Sequence, residues 1–351
     1  MVTKALHDGA SYLILGPRTA GKTTLQKRMQ DELQHAGRAC AYIDFNMIGT
    51  CTVAEWFYSA AYLVLGQVRE QLQKDLDLDS FWEAAEAASP AERWNQVLAY
   101  IAQRTRSQGL VLLLDEVDAL VRLKEVAAAF FTSLSRWTAA GEKPGVAVCL
   151  AAGVGTHHLT VQLPEGMDTE YLTDFTLDEC RVFQDGFWGR AEREEEVLKH
   201  VYEWTQGHPM LTQALGLRIQ ERFRDGTVVR SGDEEARVRQ IVQEELLADR
   251  RGRRGNYALQ WAEGCFSGSH PAAQPGELLA LFNLYRRVWR GDVVPENRSD
   301  RLQMDLWMTG MVRWDNGVLQ VRNRIFREAF DADWQAIVGK ALDCPPAPDG
   351  A

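Results

Sequence analysis

Short apolar runs alternate with longer amphipathic stretches through the first half of the chain. Ser11-Tyr12-Leu13-Ile14-Leu15 has no charged position and stops at Gly16-Pro17, the pattern of a strand buried on both faces and cut by a turn. A helical period runs from Gly21 to about His35, and Ala39-Cys40-Ala41-Tyr42-Ile43-Asp44-Phe45 predicts a second buried strand. Thr52 to about Leu76 and Ser80 to about Arg104 read as long helices, the second with Trp82, Trp94, Val97 and Ile101 spaced for one face. Leu110 to Asp115 is apolar until its last residue and predicts a third strand. Val117 to Ala139 reads as a helix, Val146 to Ala152 as a fourth strand, and Asp168 to Leu172 as a less regular fifth. Strands with no polar face, separated by helices, predict an α/β fold: a three-layer αβα sandwich around a parallel sheet.

From Thr176 the texture changes. Thr176-Leu177-Asp178-Glu179 has capping-box spacing, and helical patterns then dominate to about Arg290. Leu302 to Met308 predicts a short helix, Met311 to Trp314 and Val318 to Val321 a hairpin around Asp315-Asn316-Gly317, and Ile325 to about Leu342 a closing helix. Helices followed by a hairpin predict a winged helix-turn-helix module. The expected division is a core over residues 1–174, a helical lid over 175–275, a winged helix over 276–342 and a disordered, proline-rich tail over 343–351.

Composition narrows the class. The 351 residues, 46% hydrophobic and 25% charged, match soluble globular averages and supply a core that needs no disulfide or metal staple. No apolar run approaches the roughly 20 residues of a membrane span, and Met1 to Asp8 turns polar too early for a signal peptide, so the cytoplasm is expected. Six cysteines without a Cys-x-x-Cys pair predict reduced, mostly buried thiols. A net charge of −10 argues against a surface that grips nucleic acid or anionic lipid throughout. The stretch from Arg250 to Phe330 differs, with 13 arginines, no lysine and 8 carboxylates. It reads as a solvated or docking face for the acidic remainder, or as a patch for nucleic acid or an acidic partner.

The chemistry sits at strand ends. Gly16-Pro17-Arg18-Thr19-Ala20-Gly21-Lys22-Thr23 fits G-x-x-x-x-G-K-[ST] between a buried strand and a helix start, and Thr24 follows in the same turn. The glycines let backbone N–H groups wrap phosphates, the helix dipole favours the negative charge, Lys22 meets the β- and γ-phosphates, and Thr23 holds Mg²⁺. Mg²⁺ also needs a hard carboxylate, which Asp115 supplies at the end of the third strand, and Glu116 is placed to polarise a water. Asp118 reads as the solvent side of a helix start, the alternative being a supporting residue behind the metal-holding pair. Thr156, in Gly153-Val154-Gly155-Thr156 after the fourth strand, is a candidate γ-phosphate sensor, the alternative being an ordinary strand-to-helix turn. An extra strand between the phosphate loop and the acidic strand puts the arrangement on the AAA-like side of the P-loop class.

Several segments together carry a family resemblance. They are Pro17-Arg18 in the loop, Tyr42 to Thr50, Leu114-Asp115-Glu116-Val117-Asp118, Gly153 to Thr156, Trp204 to Gln213 and Val321-Arg322-Asn323-Arg324-Ile325-Phe326. With them the chain resembles, over nearly its whole length, the AAA-like domain of bacterial multidomain signalling and conflict proteins in the STAND group of nucleotide switches. The resemblance implies an ATPase core, a helical lid and a winged helix that work as an ATP/ADP-dependent switch with Mg²⁺ and low turnover, controlling a partner. It also implies that Gly207-His208-Pro209 reaches the nucleotide and that Arg18 lines the phosphate site. Read from the residues alone, the former is a glycine loop followed by proline at the first helical position, and the latter an exposed loop arginine. Relatives usually carry an arginine-bearing segment that covers the base, whereas about ten residues precede the first strand here, so either the true start lies upstream of Met1, or weak binding or a partner's cover is expected. No fused protease, TIR or nuclease sequence is present, so the effector is expected on a separate chain and assembly into an oligomer on activation. An origin-recognition-like DNA-binding ATPase is the second expectation, motivated by the winged helix and by Arg250, Arg251, Arg253 and Arg254. A non-hydrolysing scaffold is the third.

Overall fold

The computed structural model describes residues 2–49, 51–85, 87–105, 109–138, 145–159, 167–248, 256–269 and 275–343. The chain divides into two compact units, Met1–Gly16 with Lys22–Leu172, and Pro17–Gly21 with Thr173–Ala351.

The first unit holds α1 (Val2–His7), β1 (Ser11–Leu15), α2 (Lys22–His35), β2 (Ala39–Asp44), α3 (Val53–Val68), α4 (Leu78–Ala84), α5 (Pro90–Arg104), β3 (Leu110–Asp115), α6 (Lys124–Thr138), β4 (Val146–Ala152) and β5 (Met167–Tyr171). Its five strands form one sheet in the order β2-β3-β4-β1-β5, every neighbouring pair parallel. All residues of β1, β3 and β4 are buried, which is why these strands carry no alternation of polar positions. The short α1, for which the pattern offered no signal, drives Leu6 into a core with Ile14, Met29, Leu33, Val111 and Cys149.

Three helices that the apolar period predicts as continuous are interrupted. α3 ends in a single 3₁₀ turn, Arg69–Gln71, well short of Leu76. The stretch from Ser80 to Arg104 is two helices because Ser89 opens a new one: the Glu92 N–H donates to Ser89 Oγ at 3.3 Å, the Ser89 N–H donates to the Glu92 carboxylate at 2.8 Å, and Pro90 occupies the first turn. Val117–Arg122 is 3₁₀ before α6 begins, following Glu116 in the left-handed region at φ 53°.

The second unit contains α7 (Leu177–Cys180), α8 (Glu194–Thr205), α9 (Pro209–Arg222), α10 (Glu234–Ile241), α11 (Tyr257–Gly264), α12 (Pro275–Arg290), α13 (Arg301–Met308), β6 (Val312–Asp315), β7 (Val318–Val321), α14 (Arg324–Ala329) and α15 (Ala332–Asp343). β6 and β7 pair antiparallel from Val312 opposite Val321 to Asp315 opposite Val318. Their two-residue turn has both Asn316 (φ 50°) and Gly317 (φ 78°) left-handed, which suits the twist of a hairpin. The helix expected from Ile325 to Leu342 is broken after Ala329, where Asp331 accepts the Trp334 N–H at 3.0 Å and restarts the chain as α15. Arg250, Arg251, Arg253 and Arg254 and residues 344–351 lie outside the described residues.

Cys40, Cys149, Cys180 and Cys265 are buried free thiols, and burial pushes Cys40 and Cys149 up to about 12, which leaves them protonated and inert. Among the described residues no helix is long and apolar enough to cross a membrane.

Candidate functional site

The loop that leaves β1 has unusual backbone. The Gly16 N–H is held by the Ala152 carbonyl at 3.3 Å, and both Thr19 (φ 70°) and Gly21 (φ 90°) are left-handed. A β-branched residue at such φ is strained, and strain of this kind is found where a loop turns its N–H groups into an anion-binding concavity. Lys22 opens α2 and is only 5% exposed; its Nζ donates to the Gly16 carbonyl at 2.8 Å. The ammonium is thus held against the loop, where its charge is available to an anion.

One turn on, Thr23 Oγ1 donates to Asp115 Oδ2 at 2.6 Å across 92 residues of sequence. Asp115 is fully buried at the end of β3, and its Oδ1 accepts the Glu116 N–H at 2.9 Å. Buried Gln26 ties α2 to the sheet by donating to the carbonyls of Leu114 (3.4 Å) and Cys149 (3.2 Å). A hydroxyl and a carboxylate oxygen in contact form a hard donor set that fits Mg²⁺, with Thr23 and Asp115 as the residues that would hold it. Glu116 follows directly and is half-buried. Thr24 lies exposed on α2.

Two further side chains support this end of the sheet. The Asp118 carboxylate accepts the Gly153 N–H at 2.7 Å. Of the two readings of Asp118 the structure favours the supporting one over the solvent-facing one: the half-buried side chain pins the end of β4, where Thr156 begins a short 3₁₀ turn. The Thr156 side chain lies outside the described residues. Tyr42 Oη also donates to Asp115 Oδ2, at 2.9 Å. Burial, and then the Asp115 carboxylate, push this phenol well above its ordinary range. A hydroxyl inside an otherwise apolar strand was the available signal.

In the second unit Arg18 lies against α11, its guanidinium 4.4 Å from the Trp261 ring centroid and Nη1 donating to Tyr257 Oη at 3.2 Å. Gly207 (φ 75°) turns the chain between α8 and α9, and its carbonyl accepts the Phe175 N–H at 3.0 Å. His208 caps α9, with Nδ1 accepting the Leu211 N–H at 3.4 Å, and Pro209 is buried at the first position. His208 has no exposed surface, and burial, followed by the Arg322 charge, holds its imidazole well below its usual range. The neutral ring therefore carries its proton on Nε2, which has no hydrogen-bond partner among the described residues.

The two later segments of the resemblance meet here. Asn323 Nδ2 donates to the Thr205 carbonyl at 3.1 Å, Phe326 stacks on His208 at 5.7 Å, and Arg324 lies 3.8 Å over the Trp204 ring.

Comparison with known proteins agrees with this geometry. Residues 1–148 match the AAA-like domain family, a P-loop NTPase family. Over 341 residues the chain is 24% identical to an uncharacterised WD repeat-containing protein of Synechocystis; the alignment covers 94% of this chain and 28% of that protein's length. Among solved structures, a Walker-type ATPase of Pyrococcus abyssi superposes with a TM-score of 0.55 at 16% identity, over 93% of each chain. The Aeropyrum pernix ORC1 protein in complex with DNA has a TM-score of 0.41 at 13% identity, over 96% of this chain and 93% of that one, too loose a likeness to bear on function. The parallel sheet, its strand order and the loop before α2 make this a P-loop NTPase fold, and its first 148 residues match the AAA-like domain family.

Proposed function

We propose that the chain is an ATP/ADP-binding switch of the STAND type that hydrolyses ATP slowly with Mg²⁺ and controls a separate protein partner in bacterial signalling or defence. The observation that carries the nucleotide part is the contact of Thr23 with Asp115 beside the buried Lys22 on Gly16. In this reading the loop from Gly16 to Thr23 cradles the phosphates and Lys22 meets their charge. Mg²⁺, when bound, supplies positive charge to the phosphate oxygens, and Thr23 and Asp115 hold it. Glu116 orients and deprotonates the attacking water, and Thr156 senses the γ-phosphate. Arg18, His208 and Pro209 are the further candidates for nucleotide contact, His208 through its Nε2–H, which has no partner among the described residues.

The switch part rests on the joint between α8, α9 and α14, whose residues are the ones that carry the resemblance. Bound ATP or ADP then favours different arrangements, and slow turnover is enough to reset them. The Synechocystis relative is named for its WD repeats and is much longer than this chain, which supports a modular partner-controlling role.

A second reading, a DNA-binding ATPase of the origin-recognition kind, is favoured by one observation. The β7, α12 and α14 elements border a cleft of about 530 Å³ whose lining includes Arg313, Arg324 and Arg327. Denaturing freshly purified protein and identifying any released nucleotide by chromatography tests the first reading. Near-stoichiometric ADP or ATP supports it, and an empty protein that also fails to bind added ATP overturns it. Duplex DNA binding that weakens steeply with salt would move the conclusion to the second reading.

A further inference from the structure

Asp115 has an unusually complete set of donors. A carboxylate offers about four acceptor sites. Three are filled from three different places: Glu116 N–H on Oδ1 at 2.9 Å, Thr23 Oγ1 on Oδ2 at 2.6 Å and Tyr42 Oη on Oδ2 at 2.9 Å. Both Oδ2 sites are thereby occupied, and the remaining acceptor site is on Oδ1.

The reach of Tyr42 follows from the register of the sheet. Tyr42 stands opposite Leu113 and Asp44 opposite Asp115, so Tyr42 and Asp115 share a face as a diagonal cross-strand pair. With strands about 4.8 Å apart and a rise of about 3.3 Å per residue, such positions lie roughly 8 Å apart, within reach of an aromatic side chain but beyond a serine or threonine hydroxyl. Phenylalanine would span the gap and donate nothing.

Tyr42 is itself anchored. β2 is the outermost strand in the order of the sheet, and its free edge is met by Gln67 of α3. Gln67 Oε1 accepts the Tyr42 N–H at 3.0 Å, and Gln67 Nε2 donates to the Tyr42 carbonyl at 2.6 Å. The chain of support runs from α3 through the backbone of β2 to the phenol and then to the carboxylate.

We propose that Tyr42 is a positioning residue for the Mg²⁺-holding pair, fixing the plane of the Asp115 carboxylate so that one Oδ1 acceptor site is left to meet the ion or its water. The proposal rests on the reading of Thr23 and Asp115 as the residues that hold Mg²⁺. Second-layer partners of metal-holding carboxylates typically contribute 10- to 100-fold in metal affinity or activity.

The test is calorimetric titration of ADP into the full chain at a series of MgCl₂ concentrations and in EDTA, for wild type, Tyr42→Phe, Gln67→Met and Asp115→Asn. Tyr42→Phe is expected to leave the affinity in EDTA within about twofold and to raise the Mg²⁺ concentration for half-maximal tightening by about tenfold. Gln67→Met, which keeps the hydroxyl but frees the β2 edge, is expected to raise it by a smaller factor. An unchanged midpoint in both Tyr42→Phe and Gln67→Met, with Mg²⁺ dependence lost in Asp115→Asn, overturns the role of Tyr42 and leaves the site intact. ADP binding that is indifferent to Mg²⁺ in wild type, or indifferent to Asp115→Asn, overturns both readings together.

Discussion

Arg322 and Asp174, 148 positions apart, form a bidentate ion pair inside the second unit: Nε donates to Oδ2 at 3.0 Å and Nη2 to Oδ1 at 2.6 Å. The side chains are 4% and 8% exposed, and Arg322 Nη1 also donates to the Gly310 carbonyl at 3.4 Å. Asp174 follows β5 in sequence and Arg322 follows β7, so the pair ties the start of the second unit to its hairpin.

A buried pair gains little over apolar residues but costs a great deal when half of it is removed. Arg322→Ala and Asp174→Ala are each expected to destabilise the protein by about 3–5 kcal/mol in urea unfolding. The double substitution Asp174→Leu with Arg322→Met is expected to cost less than either, because no unpaired charge stays buried. Equal losses in all three would show that packing, and not charge, sets the energy here.

Gly207 is required by a close approach. A Cβ at this position would lie 1.8 Å from the Phe175 carbonyl oxygen, at a φ of +75° that L-residues rarely adopt. Gly207→Ala is therefore expected to cost about 3 kcal/mol or more and to loosen the α8–α9 turn. Thermal unfolding of the variant checks this, and a wild-type midpoint would contradict it.

Two buried groups predict acid-dependent losses of stability that begin at different pH. The folded-state pKa of His208 lies well below 6.5, so below that pH the unfolded chain takes up a proton that the native state refuses. Stability is expected to fall as the pH drops from about 6.5, and His208→Asn, which keeps a cap acceptor, should flatten that slope. Glu234 is lowered from 4.5 to about 2, chiefly by its hydrogen bond with Arg193 at 2.8 Å and further by the Gly232 N–H at 2.7 Å. Its contribution is present in full above pH 4.5 and is lost as the pH falls from there towards 2. Urea unfolding at intervals between pH 7 and pH 3 separates the two, since His208→Asn should alter the slope from about pH 6.5 downward, whereas Glu234→Gln should alter it only below about pH 4.5.

The roles proposed at the phosphate loop separate by variant. Lys22→Ala is expected to abolish nucleotide retention, because its ammonium is the charge held at Gly16. Glu116→Gln is expected to retain nucleotide while ATP turnover falls by about 10²–10⁴-fold, the usual worth of a positioned general base. Equal turnover in wild type and Glu116→Gln would remove Glu116 from the mechanism.

Local pattern was enough to place the buried strands of the first unit and the linear part of its site. β1, β3 and β4 have the bounds that their apolar runs predict, since a strand buried on both faces must exclude polar residues along its whole length. The phosphate loop and Asp115 were legible because each is contiguous and sits at a strand end. Breaks inside the long helices were less so: Ser89 and Glu92 carry a local signal that the surrounding apolar period hides. Tertiary structure alone decided which distant side chains meet. Tyr42 reaches Asp115 across 73 positions because β2 pairs with β3 in one register, and Arg322 reaches Asp174 because two loops pack together. Periodicity and capping act over a single turn or strand, whereas these partnerships depend on strand order and on how elements pack, which no local pattern encodes.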